Sequence, residues 1–254
     1  MSTTETVRPG FSAAYQQLRG AQKSTPGAPA YSLYVNRPLG RVLAAAAYQV
    51  GLTPNHVTYI SAFFSLVGIV LLAALPPTWL TGVVVCLALV LGYAFDSADG
   101  QLARLRGGGS TVGEWLDHMI DSAKISSLHL AVLIAAYRFF DLPSTAWLLV
   151  PVVFTVVSAV HFFGMILVDQ LVRIFRATSG TPAPPKVAPS PLRTLMKIPT
   201  DYGVLCLVFL LLGAPTVFFA AYTVLAVGST GYLILVLRKW RGDVAACDPV
   251  REAA

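Results

Sequence analysis

Charge is what this sequence has least of. Asp, Glu, Lys and Arg make up 12% of its 254 residues, about half the roughly 25% usual in a soluble domain. With 56% hydrophobic residues and a mean hydropathy of +0.68, that scarcity excludes an ordinary water-soluble globule. Cysteine is nearly missing. Cys86, Cys206 and Cys247 have no metal-ligand spacing, and two of the three fall in apolar runs, which excludes a disulfide framework and a thiolate metal centre. The first thirty residues lack an apolar run, so no cleavable signal peptide is read there. There is no internal repeat. The net charge of +6 is spread over the ends of apolar runs, and no nucleic-acid partner is expected.

What the chain does have is long apolar runs, several near the roughly 20 residues that cross a bilayer. The expected fold is an all-α integral membrane protein. Residues 1–30 read as a polar, loosely ordered tail. Residues 31–240 form a membrane-embedded domain, and 241–254 a second tail. Within the domain, 31–50 mixes apolar residues with Arg37 and Arg41, as an interfacial amphipathic helix does. Six spans follow at about 54–75, 78–106, 110–137, 144–175, 199–213 and 215–238. Gly213 and Pro215 separate the last two. The segment 177–191 reads as a Pro-rich linker. Basic residues cluster before the first span, between the second and third, between the fourth and fifth, and after the sixth, whereas the other side holds only Arg138. By the positive-inside rule both termini are cytoplasmic, in an inner (plasma) membrane.

The scarce acids are not scattered. Asp96, Asp99, Asp117 and Asp121 fall within 26 residues, DSADGQLARLRGGGSTVGEWLDHMID, where the second span gives way to the third. Each carboxylate near lipid costs roughly 2.5–3.5 kcal/mol, so four cost about 10–14 before their repulsion is counted. At about 100° per residue, Asp96, Asp99, Gly100 and Ala103 share one helical face, and Gly113, Asp117 and Asp121 share another. Two antiparallel helices joined through Arg106–Ser110 then aim four carboxylates into one gap, with thin walls at Gly100, Ala103 and Gly113. An all-oxygen site of this kind suits Mg²⁺, Mn²⁺ or Ca²⁺. Two such ions can clamp a diphosphate while a further carboxylate takes a proton from a hydroxyl.

The run reads D-x2-D-G-x2-A-R-x8-G-x3-D-x3-D. It resembles the signature of the CDP-alcohol phosphotransferase (phosphatidyltransferase) family at all eight defining positions. The resemblance implies that Asp96, Asp99, Asp117 and Asp121 hold metal, Mg²⁺ or Mn²⁺ and two ions, and that Asp121 is also the general base. It implies that Gly100, Ala103 and Gly113 make room for a cytidine nucleotide and that Arg104 steadies the acids or a phosphate. It further implies a CDP-linked donor, most often CDP-diacylglycerol, release of CMP, and a homodimer.

Further candidates surround the motif. Thr53-Pro54 reads as a helix cap with proline at the first position, and Asn55 beside it as a support for the nucleotide. Lys124, one turn beyond Asp121, either balances the aspartates or meets an acceptor phosphate. Arg173, Arg176, Arg193 and Lys197 flank the fourth and fifth spans and are candidates for a pocket that takes an anionic acceptor. His129 and His161 read as interhelical polar contacts, and His118 points off the acidic face. The expected activity is transfer of a phosphatidyl group to a small polar alcohol, with inositol phosphate or glycerol phosphate preferred. Serine, free inositol, a soluble CDP-alcohol donor and, in a different class, an ion-coupled transporter are the alternatives.

Overall fold

The computed structural model describes residues 10–20, 28–180 and 196–248, and among these every regular element is helical. Most of the Pro-rich linker and Arg193 lie outside the described residues. Helix α1 (Phe11–Gly20) buries Ala14 and Leu18 in a cluster with Ala44, Ala45, Val57, Ala98 and Leu102. The Arg41 guanidinium lies 5.4 Å above the Tyr15 ring. This corrects the expectation of a loose tail for residues 11–20. The segment is short and polar, and its order comes from two apolar side chains meeting the helices beneath.

Helix α2 (Arg37–Gln49) occupies the segment read as an amphipathic helix and is preceded by a π-helical turn, Ser32–Asn36. Pro38 has no amide hydrogen, and Arg37 N–H reaches back to Ser32 O. Helix α3 (Pro54–Ala74) opens on a capping box. Thr53 Oγ1 accepts from His56 N at 3.3 Å and His56 Nδ1 accepts from Thr53 N at 3.4 Å. Proline at the first position loses only an amide that had no partner anyway.

Helix α4 (Trp79–Leu105) and helix α5 (Thr111–Phe139) follow, joined by a tight turn. Gly107 (φ 94°) and Gly108 (φ 136°) adopt backbone conformations open to glycine alone at little cost. Ser110 Oγ then caps α5 by accepting from Gly113 N at 3.0 Å. Helix α6 (Leu149–Ser179) and helix α8 (Pro215–Ala245) complete a set of five helices long and apolar enough to cross a membrane. The protein is an integral membrane protein; the ends of α3, α4 and α5 lie within two residues of those expected, whereas α6 is shifted along the chain and α8 runs on past 238 to Ala245.

The fifth expected span takes a different form. Helix α7 (Tyr202–Val208) continues as a 3₁₀ turn, Phe209–Gly213, and this stretch is shorter than the roughly 20 residues of a full crossing. It runs beside α4, with the Tyr202 ring 5.1 Å from Tyr93 at one end and Gly213 against the Trp79 indole at the other. Asp201 ties its start to the lead-in of α2. Its carboxylate accepts from Tyr31 N at 2.9 Å and from Gly203 N at 3.1 Å.

Close packing of α3 on α4 sets the depth of the acidic face. Ser61 Oγ donates to Gly92 O at 2.8 Å, and a Cβ at Gly92 would stand 2.3 Å from Ser65 Oγ and 3.0 Å from Ser65 N. In lipid, where apolar surface gives no net drive to associate, such small-residue contacts carry helix pairing. Gly92→Val is therefore expected to destabilise the detergent-solubilised protein by about 1–3 kcal/mol, the usual cost of overpacking. Thermal melting checks this, and an unchanged midpoint would mean the α3–α4 contact is slack.

Candidate active site

The last turns of α4 and the first turns of α5 bring Asp96, Asp117 and Asp121 together. One oxygen of each lies within 4.8 Å of the others, and all three residues are half-buried. Lys124, one turn beyond Asp121, reaches the same point. Its Nζ is 2.6 Å from Asp96 Oδ1 and 2.6 Å from Asp121 Oδ1. Lys124 thus pairs with two of the aspartates, one on each helix.

Asp99 stands apart from that triad. It is only 6% exposed, and its Oδ2 accepts from Thr58 Oγ1 of α3 at 2.6 Å. Three of the four expected carboxylates thus converge, and the fourth is anchored to the neighbouring helix. Thr58, which holds Asp99, closes the Thr53–Thr58 run at the start of α3, where sequence reasoning gave a role to Asn55 and none to Thr58. Its place one turn after Pro54, on the face that meets α4, was the available signal.

The small residues do leave thin walls. A Cβ on Gly113 would lie 3.2 Å from Asn55 Oδ1, so Asn55 and the start of α5 face each other. A Cβ on Gly100 would meet only the Arg104 guanidinium, at 3.7 Å. Asn55, Gly100, Ala103, Arg104 and Gly113 therefore sit at the junction of α3, α4 and α5, on the same end of the bundle as the carboxylates.

A cavity of about 790 Å³ opens between α5, α6, α8 and the segment that precedes α7. Ile125 and Leu128 line one wall, and His161, Lys197, Lys239 and Trp240 line another. Burial, with Lys239 nearby, pushes the Lys197 ammonium below its ordinary value. Lys239 is itself paired with Asp243. The remaining candidates for an acceptor pocket lie elsewhere. Arg173 is more than half exposed and pairs with Glu114 at 3.1 Å and Asp169 at 2.6 Å. Neither it nor Arg176 lines this cavity. His129 is an interhelical contact, with Tyr222 Oη 2.7 Å from Nδ1 and Ser158 Oγ 3.0 Å from Nε2. His161 stacks on Trp240, and His118 meets Phe162 edge-on.

Solved structures with this arrangement of helices exist. The phosphatidylinositol phosphate synthase of Mycobacterium tuberculosis, in complex with manganese and citrate, is 19% identical, with a TM-score of 0.52 over 85% of this chain and 93% of that one. The same synthase with CDP-DAG bound is 22% identical, with a TM-score of 0.49 over 85% of this chain and 98% of that one. No curated protein sequence matches the chain. Residues 51–234, which hold the aspartate triad, Asp99, Thr58 and Lys124, match the family of CDP-alcohol phosphatidyltransferases. A transferase of substituted phosphate groups, the chain belongs to the CDP-alcohol phosphatidyltransferase family.

Proposed function

We propose that the protein transfers a phosphatidyl group from CDP-diacylglycerol to the hydroxyl of a small anionic alcohol, releasing CMP. The convergence of Asp96, Asp117 and Asp121 within 4.8 Å, inside the region that matches the family, carries this reading. Membrane embedding favours a lipid-linked donor over a soluble one. Asn55, Gly100, Ala103, Arg104 and Gly113 form the seat for the cytidine nucleotide. Two lysines among the residues that line the cavity, Lys197 and Lys239, favour a phosphorylated polyol such as inositol phosphate or glycerol phosphate as acceptor. Arg173, held by Glu114 and Asp169, and Arg176 have no place in this acceptor pocket.

The carboxylate oxygens fit a hard divalent cation, Mg²⁺ or Mn²⁺, better than any softer metal. Asp96, Asp117 and Asp121 would hold it, and Asp99 would join the set when two ions are bound. When bound, such ions supply charge neutralisation at the diphosphate and its leaving oxygen. Asp121 takes the proton of the acceptor hydroxyl. The hydroxyl oxygen bonds to the phosphatidyl phosphorus, and the phosphorus–oxygen bond to CMP breaks. Thr58 orients Asp99 through its hydrogen bond to Oδ2.

The topology proposed has both termini and the acidic site on the cytoplasmic side of an inner membrane. That topology needs α7 and its 3₁₀ extension, although short, to carry the chain back across, and their antiparallel course beside α4 from Tyr93 to Trp79 supports this. The assembly proposed is a homodimer.

The test is purified protein with CDP-diacylglycerol, Mn²⁺ or Mg²⁺ and a panel of alcohols, read as released CMP. Failure with every pair would overturn the reading. Two further outcomes are expected. Chelation with EDTA abolishes CMP release, and added Mn²⁺ or Mg²⁺ restores it. Asp121→Asn retains binding of Mn²⁺ and CDP yet loses turnover by at least about 100-fold, the scale of general-base catalysis. Turnover like that of the parent protein would remove Asp121 from the role of base.

A further inference from the structure

Lys124 carries an inference that rests on the metal-binding reading above. Its side chain is 11% exposed, and its Nζ bridges Asp96 of α4 and Asp121 of α5 at 2.6 Å each. Two like charges on different helices are thereby joined through one buried cation, which is the part a shared divalent ion would play. The bridge takes Oδ1 of both aspartates. What remains is one oxygen each from Asp96 and Asp121 together with Asp117, a set suited to one ion. Asp99 is engaged with Thr58.

Charge points the same way. Four carboxylates and one ammonium sum to −3, which one divalent ion brings to −1 and two bring to +1. The excess positive charge makes the second ion unfavourable until more negative charge arrives. A CDP-linked donor brings two negative charges on its diphosphate.

We propose that Lys124 is a built-in cation that holds the place of one divalent ion. The free enzyme binds a single ion. The second enters with the donor's diphosphate and displaces the ammonium from between Asp96 and Asp121.

The experiment is titration of Mn²⁺ into full-length, chelator-stripped protein in detergent, with stoichiometry read by calorimetry and by the loss of free Mn²⁺ resonance. The parent chain is expected to bind one ion, and two when CDP is present as the diphosphate probe. Lys124→Arg keeps the charge and is expected to bind one. Lys124→Met is expected to bind two without CDP and to show the larger rise in melting temperature with Mn²⁺. Two ions in the parent chain without CDP, or one in the parent chain with CDP, would overturn the proposal, as would one in Lys124→Met. The parent and Lys124→Arg measurements decide the matter even where Lys124→Met does not fold. Absence of Mn²⁺ from every form, with and without CDP, would instead sink the metal-binding reading itself.

Discussion

Carboxylates from two helices brought within 4.8 Å of one another repel, and in a bundle with few charges the repulsion is poorly screened. Everything around the α4–α5 junction answers that constraint. Lys124 supplies a cation between the helices. Thr58 draws Asp99 aside to α3. The turn at Gly107 and Gly108 keeps the helices close enough to share the load. A chain that met the repulsion by spreading the acids apart would be simpler to fold, but it would have no centre able to grip a polyanionic substrate.

The spans and the motif could be read from the sequence because each rests on a local signal. Apolar length fixes α3 to α5 to within two residues and locates α6 and α8, and the offsets of Asp96, Gly113, Asp117 and Asp121 fix which faces meet. The cap at Thr53 is equally local. What escaped depends on contacts between distant segments. Helix α1 is ordered by Ala14 and Leu18 meeting α2 and α4, and no property of residues 11–20 alone foretells that. The short form of α7 reflects packing against α4, where Gly82 and Gly213 admit the neighbouring chain closely. Apolar length alone makes the same segment look like an ordinary span.

The site divides in the same manner. That Asp96 and Asp121 converge follows from helical periodicity. That Asp99 turns toward Thr58 does not, because the choice between two neighbours is made by side-chain rotamers. Basic residues at span ends were ambiguous for a related reason. Charge count places Arg173 and Lys197 alike at the membrane surface. Only three-dimensional neighbours separate an arginine already held by Glu114 and Asp169 from a lysine that faces a cavity.

The Trp79 end of α4 and the acidic end are held at a constant separation, since the 17 helical steps from Trp79 to Asp96 span about 26 Å. With the indole packed against Gly213, the helix acts as a ruler between its two ends. Whatever the carboxylates grip is thereby held at one set distance, along the axis of α4, from the Trp79 end of the bundle.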